Sequence, residues 1–102
     1  MGVAQNDRTA AWYRRAAEKG CAEAQFELGR LYAEGKGIRQ NLVQAYKWLR
    51  LAAALDTSWR DEADDARELL VQHMSGEELT RARNLAWDWL ARQEAAKYAD
   101  ED

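Results

Sequence analysis

Chemistry in this chain would have to come from very few side chains. His73 is its one histidine and Cys21 its one cysteine in 102 residues, so an acid-base relay or a thiolate nucleophile would each depend on a single group. Cys21 stands at the start of a helical segment, where a helix dipole can lower a thiol pKa. No basic partner is identifiable beside it, and it reads as a small residue in a tight interhelix turn. His73 ends a helical stripe and reads as a packed or partly exposed histidine favoured by a helix C-terminus. Asp61, Glu62, Asp64 and Asp65 could attract a cation, but they straddle several faces of one helix and lack the shaped loop of a calcium site. Gly35 and Gly37 suggest a phosphate cradle only in isolation, because no strand precedes them and no Gly-Lys-Ser/Thr follows. The expectation is a non-enzymatic chain with no catalytic set, no metal site and no cofactor.

The aromatic residues carry more information. Five tryptophans in so short a chain exceed what small helix pairs require, and tryptophan is enriched at binding hot spots. Trp12, Trp48 and Trp89 fall on apolar stripes and are expected in the core. Trp87 lies well off the stripe of its helix, beside Arg83 and Glu94 and near Tyr98, and either packs on an unseen neighbour or forms an exposed anchor. Trp59 is a weaker case of the same kind.

Composition limits the remaining classes. The chain has 47% apolar residues, many of them alanine, 32% charged residues and no proline, which describes an all-helical domain with close helix-helix contacts. No run approaches the ~20 apolar residues of a membrane span, and the first residues lack a signal-peptide pattern. The expectation is a soluble chain, cytoplasmic or periplasmic, with no membrane insertion. A net charge of −3 argues against nucleic-acid binding through a basic surface. The charge is polarised along the sequence: residues 1–56 hold nine Lys/Arg against six Asp/Glu, and residues 57–102 hold six against twelve.

The elements that would position these residues are organised around 22–54. Ala24, Leu28, Leu31 and Tyr32 make one helical stripe, and Leu42, Ala45, Leu49, Ala52 and Ala53 make another. Gly35-Lys36-Gly37 supplies the reversal between them, and Asn41 can cap the second helix. The start of the chain echoes this unit: residues 2–6 resemble 37–41, and Trp12, Arg14, Ala16 and Ala17 recur as Trp48, Arg50, Ala52 and Ala53. That is a period near 36 residues, in the range of helical solenoids. The chain therefore opens inside a repeat, with 2–6 expected as a turn and a first helix over 8–19; upstream repeats of a longer parent are expected to be missing. Helices follow over 22–34 and from 42 to about 55. Asp56-Thr57-Ser58 offers capping residues for a fourth helix with the stripe Trp59, Ala63, Ala66, Leu70 and His73. Ser75 with Glu78 forms a capping box for a long fifth helix with Leu79, Ala82, Ala86, Trp89 and Leu90 on one face.

The pattern Ala24, Leu28-Gly29, Leu31-Tyr32, Gly35-x-Gly37-Ile38, Asn41, Ala45, Trp48-Leu49 and Ala52-Ala53 resembles the Sel-1-like repeat, a relative of the tetratricopeptide repeat. Asn41 stands where that family usually has aspartate, and Asp56 where it usually has glycine. The segment from Met74 to Trp89 also resembles the closing helix pair of bacterial members. The domain division expected from this resemblance is a half repeat over 2–20, a full repeat over 21–56, a degenerate C-terminal cap over 57–98 and a frayed tail over 99–102.

The resemblance implies an all-α, right-handed superhelix of about five helices in antiparallel pairs. It also implies a non-catalytic adaptor or scaffold that binds a protein or peptide, here as the C-terminal part of a longer bacterial protein. With Cys21 alone, the chain does not belong to the cysteine-rich branch of the family. In such solenoids the first helix of each unit lines the concave face. That nominates Glu23, Phe26, Glu27, Arg30, Arg60 and Arg67, joined by Trp59 and Trp87, as candidate protein-binding residues. A second expectation is self-association through the N-terminal end, where Trp12, Tyr13 and Ala16 would leave apolar surface, and a third, weaker one is an enzyme completed only by the missing repeats.

Overall fold

The computed structural model describes the backbone over residues 2–99 and side chains over 8–97. It contains helices α1 (Gly2–Glu18), α2 (Ala22–Glu34), α3 (Leu42–Leu55), α4 (Arg60–Val71) and α5 (Gly76–Ala99), with one turn of 3-10 helix over Thr57–Trp59. The described residues contain no strand. The molecule measures 47 × 33 × 25 Å, an elongated stack of antiparallel helices.

The ends of these helices follow from local chemistry. Gly35 closes α2 in the left-handed conformation, φ 72°, and its N–H and that of Lys36 both donate to the Leu31 carbonyl at 2.8 and 3.1 Å, which satisfies an orphan acceptor of the last turn. The loop is then tied back onto α2: the Asn41 N–H donates to the Tyr32 carbonyl at 3.0 Å, and Gln40 Nε2 to the Ala33 carbonyl at 2.9 Å. Asn41 Oδ1 accepts from the Gln44 N–H at 3.1 Å, an N-cap bond that starts α3.

Residues 2–6, which resemble this loop in sequence, are helical instead, and α1 begins at Gly2. In 37–41 the turn is held by bonds to the helix before it. Residues 2–6 instead form the first turn of α1, and the expected N-terminal turn is corrected to helix. The start of the fourth helix also differs: Asp56 caps the 3-10 turn, accepting from the Ser58 N–H at 3.0 Å, and α4 follows with no side-chain cap of its own. His73 lies beyond α4 in the turn, exposed. Asp100, Glu101 and Asp102, expected as a frayed tail, lie outside the described residues.

Helix α3 is the centre of the fold. Nine of its residues are buried, from Val43 to Ala53, because α2, α4 and α5 all pack on it; a helix apolar nearly all round belongs inside. Its contact with α2 is the tightest. A Cβ placed on Gly29 would lie 2.8 Å from Leu49 Cγ and 3.1 Å from the Ala45 carbonyl oxygen, so glycine lets the two backbones approach. Leu28, Trp48, Leu49 and Leu51 are fully buried, each stabilising by about 1.5–3 kcal/mol relative to exposure. Trp48 meets Trp89 of α5 edge to face, centroids 6.2 Å apart, a geometry aromatic quadrupoles favour.

Helix α1 packs on α2 and is fastened by Arg14 Nη2 donating to the Tyr32 hydroxyl at 2.8 Å and by Gln25 Nε2 donating to the Ala17 carbonyl at 3.1 Å. Trp12 does not join the core: it is 64% exposed, with Tyr13 edge-on beside it, centroids 5.4 Å apart. Trp48, at the equivalent repeat position, is 2% exposed. The difference is the neighbour, since α4 and α5 cover α3 while no described helix covers that face of α1.

Candidate functional site

The nominated residues separate into two groups. On α2 the surface is mostly closed. Phe26, expected as an exposed contact residue, is 7% exposed, because the 3-10 turn lays Trp59 over it with ring centroids 5.0 Å apart. That corrects the expectation for Phe26, which belongs to the core; Trp59, half-buried, packs on this neighbour and keeps part of its surface open. Arg30 stands over the same ring at 6.0 Å and reaches Glu27 at 3.7 Å and Glu34 at 4.0 Å, so its charge is spent on solvated pairs worth about 0–1 kcal/mol each. Glu23 is exposed in the first turn of α2, where a carboxylate suits the helix dipole.

Arg60, Arg67 and Trp87 come together elsewhere. Helices α4 and α5 both lie on α3 and pack on it far more than on each other, and that arrangement leaves a groove between them. One part of the groove, about 350 Å³, is lined by Arg50, Ala53 and Ala54 of α3, Arg60, Asp64 and Arg67 from the α4 side, and Trp87 and Leu90 of α5. It continues past Asp64 and Arg67 towards Tyr46 and Val71. In the other direction, beyond Trp87 and Leu90, it opens into a cavity of about 630 Å³ reaching Leu55 and Gly20. Trp87 is 70% exposed and Leu55 is exposed as well, so the apolar wall faces solvent. The side chain of Tyr98, placed near Trp87 by the helical wheel, lies outside the described residues.

The groove's arginines differ in state. Arg67 is built into the structure: Nη1 donates to the Tyr46 hydroxyl at 3.3 Å, Nη2 pairs with Asp64 Oδ1, and the guanidinium stands 5.3 Å from the Tyr46 ring centroid. Its buried Nε has no acceptor among the described residues. Burial raises the Tyr46 phenol pKa, but the guanidiniums of Arg83 and Arg67 outweigh that and hold it below its ordinary value. Arg50 and Arg60 are exposed and have no ion pair or hydrogen bond to another side chain among the described residues.

The side chains capable of catalysis are not brought together. Cys21 is exposed at the N-terminus of α2, whereas His73 lines a cleft with Ala33 and Gln40 at the other end of that helix, about 20 Å away at 1.5 Å per residue. No group of three or more metal-ligating side chains occurs among the described residues, and none of the described helices is long and apolar enough to cross a membrane. Sequence reasoning missed Arg50 and Tyr46 as groove residues. Arg50 precedes Ala53 and Ala54 by three and four places on one face of α3, a usable signal only once α4 and α5 are known to flank that face.

The repeat positions do what a packed helix pair with a tight reversal requires: Ala24, Leu28, Tyr32, Ala45, Trp48, Ala52 and Ala53 are buried, and Gly35 and Gly37 have positive φ. The chain matches the Sel1 repeat over residues 2–21 and 22–56. It is 48% identical over 42 residues to chitin synthase regulator SKT5 of Saccharomyces cerevisiae, a match covering 41% of this chain and 6% of that protein. Its fold is similar to the crystal structure of c5321, a protective antigen of uropathogenic Escherichia coli strains that displays an SLR fold. The TM-score is 0.78 at 28% identity, over 84% of this chain and 18% of that one. The chain thus spans less than a fifth of the length of either relative. With more than half of its residues matched by that repeat, this chain belongs to the Sel1 repeat family.

Proposed function

We propose that this chain is a non-catalytic protein-interaction module of the adaptor or scaffold kind, and that its contact surface is the groove between α4 and α5. The family supplies the class, since Sel1 repeats mediate protein interactions. The observation that carries the choice of surface is Trp87, 70% exposed beside Leu90 and free arginines, where a large apolar side chain contributes nothing evident to the fold. Trp87→Ala is the test. The variant should keep the wild-type melting temperature and lose retention of the proteins that the immobilised wild type captures. Equal retention by the variant moves the contact surface elsewhere, and turnover of a substrate by the purified chain overturns the non-catalytic reading.

A second reading, self-association through α1, is favoured by the exposed Trp12 and its edge-on neighbour Tyr13. Sedimentation over a range of concentrations should then show a dimer that Trp12→Ala dissolves. A monomer at the highest concentration removes this reading.

A further inference from the structure

We propose that the groove between α4 and α5 receives a short acidic segment of a partner protein, with one apolar side chain seated against Trp87 and Leu90. The inference rests on the interaction reading above and adds the chemistry of the partner. Three arginines, Arg50, Arg60 and Arg67, line the same part of the groove, and Asp64 is the one acidic residue of that part, with Glu68 and Glu94 in the parts on either side. Asp64 is already paired with Arg67. Arg50 and Arg60 therefore present two planar donor forks with no acidic partner, beside an apolar wall formed by Trp87, Leu90, Ala53 and Ala54. Guanidinium forks match carboxylates bidentately, and an exposed tryptophan flanked by arginine is the residue set that dominates binding energy at interfaces.

Charge around the groove limits the ligand's length. Asp61, Glu62, Asp65 and Glu68 lie on the same helix as Arg67, and residues 57–102 carry six Lys/Arg against twelve Asp/Glu. A long polyanion or an anionic membrane would extend its charge over these carboxylates and be repelled. A segment of a few residues confines its carboxylates to Arg50 and Arg60 and avoids that repulsion. The shared walls of the neighbouring cavities leave room for an apolar side chain to continue past Trp87 towards Leu55.

The probe is a fluorescein-labelled peptide of Asp and Glu with a central Leu, followed by anisotropy at low salt and by shifts of the five tryptophan indole signals in ¹H–¹⁵N spectra. The Trp87 signal is assigned with Trp87→Phe. Saturable binding is expected, with shifts centred on the Trp87 indole. Affinity should fall at least 10-fold in Arg50→Glu/Arg60→Glu, fall several-fold in Trp87→Ala, and weaken as salt is raised. The same peptide with Gln in place of the acids should not bind. All the substituted side chains are exposed, and unchanged melting temperatures exclude misfolding as the cause.

Binding unaffected by Arg50→Glu/Arg60→Glu overturns the proposal, as does preferential binding of an oligothymidylate or of phosphatidylserine vesicles. If the acidic peptide fails to bind while proteins are still captured through Trp87, this proposal falls and the interaction module stands. If capture through Trp87 also fails, both fall.

Discussion

Two residues report most directly on how closely this fold is packed. Gly29 is helical and mid-segment, where alanine would ordinarily add up to about 1 kcal/mol of helix propensity. Here the added Cβ would meet Leu49 Cγ at 2.8 Å and the Ala45 carbonyl at 3.1 Å. Leu49 is fully buried and cannot swing away, so overpacking of about 1–3 kcal/mol wins. Gly29→Ala is expected to lower the urea midpoint, and an unchanged or raised midpoint would show that α2 and α3 separate at no cost. Lys47 is the second. It is 8% exposed, with its Nζ 4.2 Å from the Trp48 ring centroid. Burial lowers its pKa, Glu18 partly opposes that and Arg92 adds to it. A lysine whose pKa is depressed on folding binds fewer protons in the folded than in the unfolded state. Stability from this group therefore rises as the pH climbs from the depressed value towards the ordinary lysine value. Lys47→Met keeps an unbranched stem and removes the titration. Urea unfolding across that alkaline window should show a shallower rise in the variant than in the wild type; Tyr46, which contributes with the same sign, remains in both. Parallel curves would mean that Lys47 is as well solvated folded as unfolded.

At the level of elements, the helix boundaries depend on a few local bonds. The capping box at α5 is complete: the Glu78 N–H donates to Ser75 Oγ at 3.1 Å and the Ser75 N–H to Glu78 Oε1 at 2.9 Å. Ser75→Ala should cost about 0.5–2 kcal/mol, read as a lower melting temperature and as faster amide exchange in the first turn of α5. Exchange unchanged there would show that packing on α3 alone holds the helix start. This box and the Asn41 cap were legible in the sequence, because a cap involves residues within one turn of each other. The 3-10 turn over Thr57–Trp59 was not legible. It depends on Asp56 accepting from both the Ser58 N–H at 3.0 Å and the Ser58 hydroxyl at 2.6 Å, and several helix starts were available to Asp56-Thr57-Ser58. Those bonds hold the Asp56 carboxyl below its ordinary pKa. The stabilisation is present above that ordinary value and is lost as the pH falls through the lowered one.

At the level of the whole molecule, α3 couples the two ends of the chain. It contacts α2, and through α2 the first helix, while α4 and α5 rest on its other faces. Leu51, fully buried on α3, is where that coupling is tested. Leu51→Ala should destabilise by about 2–5 kcal/mol, with far-ultraviolet circular dichroism and tryptophan fluorescence falling in one shared transition. Two separate transitions would show that α1–α2 and α4–α5 unfold independently. The same central position explains the groove, because two helices laid on one α3 without packing closely on each other leave a channel above it.

The number and order of the helices, the reversal at Gly35 and Gly37, and the family of the unit are all legible in the order of the residues. Each of those is written in spacings shorter than one repeat: a 3.6-residue stripe, a cap three residues from its acceptor, two glycines in a turn. Burial is a property of neighbours distant in the chain, and there sequence reasoning and structure part. Trp12 and Trp48 occupy equivalent positions, yet one is 64% and the other 2% exposed, because only α3 is covered by α4 and α5. Phe26 lies off its helical stripe and is nevertheless buried, since Trp59 folds over it from 33 positions further on. Arg50, Arg60, Arg67 and Trp87 come from both sides of one groove only because α4 and α5 flank α3. Local periodicity determines which face of a helix is apolar, but tertiary packing alone decides which face is covered and which is left to meet a partner.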